Sequence, residues 1–269
     1  MAAAQRFAAA GGTHLFLATQ NYTPGPPVTL EEYAQQFETT ATMAERVRGV
    51  AGVTAYLVVA PYPVDLIGAA QRLGVPAALD LHLRAIDLAG RWVRERRAVA
   101  LGEVGRAHFD VPPELGEAID VAFRHAMKVA GECGCPVVVH SADLDPAGFR
   151  GLARIASEEG LPPERVVKHY ARAHWPVADR AGIVPSYLAR RELVSSVVSD
   201  PAPWFLETDF LDDPRRPGAV LDLATVPRRA RAISDQHPED PDRLFVPFVE
   251  SVERVYGWRP ELGREGTGS

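Results

Sequence analysis

Four short apolar segments of this sequence each end in a side chain of a type that binds metal ions. The segment AVALG ends in Glu103, and the other three segments end in His140, His169 and Asp209. Apolar runs of this length are typical of buried strands in a parallel sheet. In a parallel α/β barrel the carboxyl ends of all strands open on one face. We therefore predict that these four side chains converge at one mouth of a barrel.

Any one of these residues has an ordinary structural explanation, because a His or Asp at a strand end commonly serves as a hydrogen-bonding group. Four in succession, of the types Glu, His, His and Asp, are harder to explain in that way. Mixed carboxylate and imidazole ligands suit zinc, manganese, iron or nickel, and a carboxylate can bridge two ions. The pattern therefore predicts a metal site.

The length of the chain and the order of its segments favour one α/β domain of the TIM type. A chain of 269 residues fits a single (β/α)8 barrel, which we place over residues 1–260, followed by a flexible Gly-rich tail over residues 261–269. The Ala-rich residues 1–10 predict a helix, and residues 14–18 predict the first visible strand. Because the chain begins inside a helix, we expect the first strand of the barrel to be missing from it.

Composition and charge limit the functional classes. With 46% hydrophobic and 24% charged residues, the chain has the composition of a soluble globular protein. A net charge of -6 argues against a broad footprint on duplex nucleic acid, but not against a nuclease that takes a strand end into a small metal pocket. No apolar run approaches the roughly 20 residues that span a bilayer, and the N-terminus lacks a signal-peptide pattern. We expect a cytoplasmic protein with no membrane partner.

The two cysteines, Cys133 and Cys135, do not make a disulfide framework. They precede their strand, whereas His140 follows it. Five residues at ~3.3 Å each place the thiols on the order of 15 Å from the predicted metal site. We expect packed free cysteines rather than zinc ligands.

At these strand ends the sequence resembles a known family, the TatD-like metal-dependent hydrolases, and in particular their archaeal-type members. The segments that carry the resemblance are AVALGEVGR (98–106), VVVH (137–140), VVKHY (166–170), GIVPS (182–186) and FLETD (205–209). The likeness extends to VYG (255–257) and so covers nearly the whole chain. Each motif alone is weak, but five motifs in the right order are specific.

The resemblance implies a role for each of the four residues. Glu103 would bridge two ions, and His140 and His169 would complete the first site. Asp209 would bind the second ion and act as the general base, so that Glu103 and Asp209 are the catalytic residues. The implied cofactors are divalent ions (zinc, magnesium or manganese), one or two per chain. Such an ion lowers the pKa of water toward about 7 and polarises the phosphoryl or carbonyl oxygen under attack.

The sequence departs from the family pattern at the first strand. TatD-like proteins usually begin with a strand that carries a His-x-His pair, which supplies two ligands to one metal, and no His-x-His occurs in this sequence. His14 is a poor substitute, because it begins its strand and would point toward the opposite face. Two explanations remain open: the sequence starts downstream of the true start, or the protein has lost half of a metal site. We expect the chain as written to bind one ion firmly and a second weakly.

A missing strand also affects assembly. A barrel closed by eight strands has no edge, whereas seven strands leave two edges exposed. We therefore expect the chain to be poorly soluble or to pair with another chain as a homo-oligomer, unless a neighbouring segment fills the gap.

Four residues in loops at the same mouth are candidate substrate contacts. Arg106, three positions after Glu103, would orient that carboxylate or meet an anionic substrate. Tyr62 stands where the family often has the His of a His-Pro turn, and it either alters substrate contacts or packs as a simple aromatic. Tyr170 and His174 would stack a base or sugar or form part of a lid, and the sequence does not separate these two roles.

Three functional hypotheses remain. The leading one is a TatD-like phosphodiester hydrolase, a deoxyribonuclease that acts on strand ends. The second is a hydrolase of the wider metal-dependent amidohydrolase superfamily that cleaves a small amide, ester or lactone. The fold does not choose between them, because one barrel hosts many chemistries. The third is a relative that keeps the fold and is catalytically impaired because it lacks the His-x-His strand.

Overall fold

The computed structural model describes residues 1–211 and 221–259, in which strands and helices alternate. The strands are β1 (His14–Ala18), β2 (Thr54–Val59), β3 (Ala100–Gly105), β4 (Val137–His140), β5 (Val166–Ala171), β6 (Val184–Leu188) and β7 (Phe205–Glu207). The helices are α1 (Ala2–Ala9), α2 (Leu30–Ala51), α3 (Pro63–Leu73), α4 (Val75–Arg94), α5 (Pro113–Cys133), α6 (Pro146–Glu158), α7 (Arg191–Val197), α8 (Thr225–Gln236) and α9 (Ser251–Tyr256). The predicted tail over residues 261–269 lies outside the described residues, and the domain limit at residue 260 stays a prediction.

The strands form one curled parallel sheet. All neighbours pair in parallel, and the spatial order follows the chain order from β1 to β7. The two edge strands of this sheet come close together. The ring of Phe16 on β1 lies 6.4 Å from the ring of Phe205 on β7, at the opposite edge, which shows that the sheet is strongly curled. The prediction of a TIM-type α/β architecture is therefore confirmed, with seven strands in the described residues and a helix before the first of them.

Local sequence signals set the helix ends. Thr29 and Glu32 form a capping box at the start of α2, each side chain accepting a hydrogen bond from the backbone of the other. Gly52, with φ of 65°, ends the same helix in the left-handed region. Pro113 and Pro146 open α5 and α6, where the missing backbone N–H costs nothing. No helix in the described part of the chain is long and apolar enough to cross a membrane.

Successive residues of each strand face opposite sides of the sheet, and this alternation positions the site. On β4, Val137 and Val139 pack in the main core between sheet and helices. Val138 instead packs against a cluster on the inner, concave side. His140 therefore points to the inner side as well, at the carboxyl end of its strand.

Aromatic rings fill the inner side of the sheet toward the amino ends of the strands. The ring of Tyr256 stacks on Phe16 with centroids 4.4 Å apart, and the ring of Trp258 lies 4.4 Å from that of Tyr56. Phe205, the first residue of β7, meets Tyr256 edge-on at 6.0 Å. We call these five rings the inner aromatic cluster. Two of them come from the end of the described chain, so this segment packs into the barrel interior.

Asp65, in the first turn of α3, is a carboxylate buried to 7% exposure. Its Oδ1 accepts a hydrogen bond of 3.3 Å from Asn21 Nδ2. Its buried Oδ2 has no hydrogen-bond partner among the described residues. Burial disfavours the charged form and raises the pKa of Asp65 to about 6, although the Asn21 hydrogen bond opposes this.

The substitution Asp65→Asn should change how stability depends on pH. Between about pH 4 and pH 6 the unfolded chain releases the Asp65 proton while the folded chain retains it, so the wild-type protein loses stability from this group as the pH rises. The variant has no such group. We expect its free energy of unfolding, relative to wild type, to rise with pH by up to about 3 kcal/mol across this window.

Urea titrations at several pH values measure this difference. The matched control is Asp80→Asn on the surface of α4, where the carboxylate is exposed. A difference between Asp65→Asn and wild type that stays flat from pH 4 to 7 would contradict the assignment.

Candidate metal centre

Three of the predicted metal ligands meet at the carboxyl ends of neighbouring strands. Glu103 lies on β3, His140 ends β4, and His169 lies on β5. One ligand atom of each lies within 4.8 Å of the others. Glu103 Oε2 is 3.4 Å from His140 Nδ1, and Glu103 Oε1 is 3.5 Å from His169 Nε2. The Glu103 carboxylate therefore lies between the two imidazoles.

Gly105 allows β3 and β4 to approach closely at this point. Its φ is 137°, and a Cβ atom added there would lie 2.0 Å from the carbonyl oxygen of His140. The backbone N–H of Arg106 donates to the same oxygen at 2.9 Å. No residue with a side chain fits at position 105 without moving β4. Gly105 therefore fixes the distance between the strands that carry Glu103 and His140.

Asp209 joins the cluster just beyond the end of β7. Its Oδ1 lies 3.8 Å from His169 Nε2, and its φ is 49°. Burial, with a smaller contribution from the neighbouring Glu103 and Glu207, raises the pKa of Asp209 to about 6 against the opposing effect of His169. The structure thus brings together all four residues that the strand-end pattern singled out. Their roles stay predictions.

Glu207 is a member of the cluster that the sequence analysis did not assign. Its Oε1 lies 2.9 Å from His169 Nδ1 and accepts a 3.0 Å hydrogen bond from the backbone N–H of Tyr170. A carboxylate on one imidazole nitrogen fixes the tautomer and leaves the other nitrogen free as a ligand. Here the free atom is His169 Nε2, which faces Glu103 and Asp209. The available signal was position, since Glu207 directly follows the apolar residues 204–206 and is the last residue of β7.

His140 is held from its other side by two rings. Its Nε2 lies 3.1 Å from the hydroxyl of Tyr62 and 3.0 Å from Nδ1 of His108. Its Nδ1 is buried, has no hydrogen-bond partner among the described residues, and faces Glu103. His108, which lies between β3 and α5, is a second partner that the strand-end pattern did not assign.

The charge balance of the cluster favours a cation. Burial lowers the pKa of His169, but the carboxylates Glu207, Glu103 and Asp209 outweigh burial and raise it to about 9. Burial raises the pKa of Glu103, but the imidazoles of His169 and His140 reverse this, and its pKa lies below the usual range. Positive charge is therefore stabilised at the point that His169 Nε2 and the carboxylates face.

These observations fit a divalent metal ion. The donor set of two imidazoles and a carboxylate is one that zinc and manganese accept. Within the described part of the chain the buried Nδ1 of His140 has no hydrogen-bond partner, and this atom and His169 Nε2 both face Glu103. Each of the two imidazoles is oriented by a partner on its other nitrogen, as metal-ligating histidines usually are.

Lys168 forms hydrogen bonds with the backbone at both strand ends that carry the imidazoles. Its side chain is buried to 1% exposure, and its Nζ donates to the carbonyl oxygen of Ser141 at 3.3 Å and to that of His169. Burial lowers the pKa of Lys168, and the neighbouring carboxylates of Glu207 and Asp143 oppose this shift. The ammonium thereby links the residue after His140 to His169 itself.

The four predicted substrate contacts are not equally close to this cluster. Tyr62 contacts His140, and the ring of Tyr170 lies 5.7 Å from that of His169. Arg106 instead forms a 2.6 Å ion pair with Asp120 on α5. The remaining one, His174, lies 2.9 Å from Asp200, which also binds Arg180. The structure thus places Tyr62 and Tyr170 beside the cluster and directs the other two side chains to partners elsewhere.

The cysteines are packed as predicted. Cys135 is buried, and Cys133 Sγ lies 3.0 Å from Arg94 Nη1. Both are free thiols, and within the described residues neither belongs to the group of metal-competent side chains.

The fold and this site define a barrel-type hydrolase with a metal-competent cluster at the carboxyl ends of its strands. The chain belongs to the TatD related DNase family, whose sequence model matches residues 1–257. It is 31% identical over 211 residues to the uncharacterized protein MJ1127 of Methanocaldococcus jannaschii, a match that covers 78% of this chain and 75% of that protein.

Solved structures show the same fold at low sequence identity. The TatD homologue YjjV of Escherichia coli has a TM-score of 0.60 at 17% identity, covering 96% of this chain and 91% of that one. A TatD-like protein of Archaeoglobus fulgidus has a TM-score of 0.60 at 12% identity, covering 95% and 94%. An enzyme engineered for organophosphate hydrolysis from a weak promiscuous lactonase template has a TM-score of 0.54 at 15% identity, covering 91% and 94%.

The substitution Glu207→Gln should weaken metal binding without unfolding the protein. The amide keeps the shape of the carboxylate but removes the charge that orients His169 and favours a cation at Nε2. We expect a loss of about 10-fold to 100-fold in affinity for zinc or manganese, the usual effect of changing such a partner. Competition with a chromogenic chelator measures it.

Glu239→Gln is the matched control, because Glu239 also pairs with a histidine, His237, but on the surface. Equal affinities for Glu207→Gln and wild type would show that Glu207 does not support a metal ligand.

Proposed function

We propose that this protein is a metal-dependent hydrolase that cleaves phosphodiester bonds and acts on the ends of DNA strands. The observation that carries the proposal is the convergence of Glu103, His140 and His169 within 4.8 Å, with Asp209 beside them. Membership of the TatD related DNase family supports the reaction class. The net charge of -6 favours a substrate gripped at a small pocket over a duplex held along its length.

In this proposal Glu103, His140 and His169 would hold one divalent ion, which is zinc, magnesium or manganese. Glu103 and Asp209 would contribute to a second, weaker site. A bound ion would polarise the phosphoryl oxygen and make water a stronger acid at neutral pH.

The protein's own groups move the proton and place the substrate. Asp209 acts as the general base, taking the proton of the attacking water on Oδ1. Its raised pKa of about 6 leaves it ionised at neutral pH, yet with more affinity for a proton than an ordinary carboxylate has. Glu207 keeps the proton of His169 on Nδ1. Tyr170, whose ring stacks with the guanidinium of Arg172 at 5.1 Å, offers a face for a terminal base.

A second candidate is hydrolysis of a small ester, amide or lactone at the same cluster. The structural likeness to an enzyme engineered from a weak promiscuous lactonase favours testing it. A third is a catalytically impaired relative, since no His-x-His pair is present to complete the second site. All three functional hypotheses share the same fold. Measurements of substrate turnover and of metal content are therefore needed to distinguish them.

Hydrolysis of 3′-labelled single-stranded DNA, compared with a panel of lactones and with and without added metal, tests the reaction. We expect label release that depends on metal, and we expect His169→Ala to lower it by more than about 100-fold because a ligand, and not only its partner, is lost. His125→Ala is the control, since His125 on α5 pairs with Asp87 on α4 and belongs to no group of metal-competent side chains found in the described residues.

Lactone turnover without DNA cleavage would favour the second candidate. No turnover of either substrate class, with metal bound, would favour the third.

Metal content should show one firmly held ion and one weakly held ion per chain. We expect elemental analysis after dialysis to give about one ion per chain, because the described residues contain one group of three potential ligands. Asp209→Asn should keep that ion while losing hydrolysis, whereas His140→Ala should lose the ion. Two tightly held ions per chain would contradict this assignment.

A further inference from the structure

A cleft of about 200 Å³ lies on the helix side of β4, between α5 and α6. The lining residues that matter here are Arg106, Phe123, Val139, Gly151, Leu152, Arg154 and Ile155. Val139 lines this cleft, whereas the next residue of β4, His140, faces the metal-competent cluster on the opposite side of the sheet. The backbone of β4 therefore separates the two sites.

The inner part of the cleft is apolar, and α6 leaves it open. Phe123 from α5 and Leu152 and Ile155 from α6 supply buried hydrophobic walls. Gly151 lies in the interior of α6, and a Cβ atom added there would meet nothing within 4 Å. The absence of a side chain at this lining position maintains the open volume.

Two arginines, Arg106 and Arg154, line the cleft, and each also pairs with a carboxylate outside it. None of the described lining residues is acidic. Arg106 uses Nε to bind Asp120, while its guanidinium carbon lies 5.5 Å from the centre of the Phe123 ring. Arg154 donates through Nη1 to Glu158 at 3.0 Å. Among the described residues the two Nη atoms of Arg106 have no hydrogen-bond partner, so they are available to a carboxylate or phosphate.

We propose that this cleft binds a small organic anion, consisting of one six-membered ring that carries a single carboxylate or phosphate group. The ring packs on Phe123, Leu152 and Ile155, and the anionic group meets Arg106 and Arg154 at the opening. The volume supports one ring with a substituent, since an apolar cavity of about 150 Å³ is known to hold benzene. The site is distinct from the metal-competent cluster, and the inference does not rest on the proposed function.

Calorimetric titration of the metal-free protein tests this with benzoate and phenyl phosphate as probes. Metal-free protein is used so that no probe is held by an ion. We expect both probes to bind saturably at millimolar concentration or below. Benzyl alcohol, which lacks the charge, and inorganic phosphate, which lacks the ring, should each bind at least about 10-fold more weakly. Equal binding of inorganic phosphate and phenyl phosphate, or no saturable binding of either probe, would overturn the proposal.

Gly151→Leu places a side chain in the cleft and should weaken benzoate binding by at least about 10-fold. Gly49→Leu is the matched control, because Gly49 is also a helical glycine with nothing within 4 Å of an added Cβ, but it lies on α2. Both changes favour the helix, so both variants should fold. Arg106→Gln tests the charge, and it should weaken benzoate binding while leaving benzyl alcohol unchanged.

Unchanged benzoate binding in Gly151→Leu, or equal losses in Gly151→Leu and Gly49→Leu, would show that the ligand does not occupy this cleft. His169→Ala should bind benzoate as the wild-type protein does. Binding of an anion in the cleft is therefore tested independently of hydrolysis at the metal-competent cluster.

Discussion

The contact between the backbones of β3 and β4 at Gly105 is the constraint on which the site depends. The position of a Cβ at residue 105 is only 2.0 Å from the His140 carbonyl oxygen, so the two strands approach this closely only because the residue is glycine. The Arg106 N–H then bonds to that same oxygen. With the strands held there, the carboxylate of Glu103 and the imidazole of His140 are neighbours before any ion binds. The site is therefore prearranged by backbone packing, with Glu103, His140 and His169 carried on strands rather than on loops.

Electrostatic interactions also prepare the site to bind a cation. Carboxylates from β3 and β7 surround the imidazole of His169, and their combined field raises its pKa to about 9 in spite of burial. A proton there partly balances the negative charge that the strand ends bring together. A divalent ion would balance it more fully, at a point that Glu207 has already oriented. The same carboxylates thus explain both the protonation of the metal-free site and its preference for a cation.

The strand-end pattern predicted the four central residues because parallel strands share one mouth, and that rule needs only the sequence. The same pattern fits Glu207 as well as Asp209, since Glu207 directly follows the apolar run WFL (204–206), so the pattern did not separate the partner of an imidazole from a ligand. It did not identify His108, which terminates no apolar run. Nor could it foresee the partners of long loop side chains: Arg106 turns to Asp120, 14 residues away, and His174 to Asp200, 26 residues away. Partners at such separations are set by how helices pack, and local patterning does not encode that.

The inner aromatic cluster occupies the end of the sheet opposite to the metal-competent cluster. Rings from both edges of the sheet and from the end of the described chain pack together there. Glu103, His140 and His169 lie at the carboxyl ends of their strands. Under the proposed function, a strand end of DNA would therefore approach the cluster from the carboxyl-end mouth of the sheet and not from the end that the rings occupy.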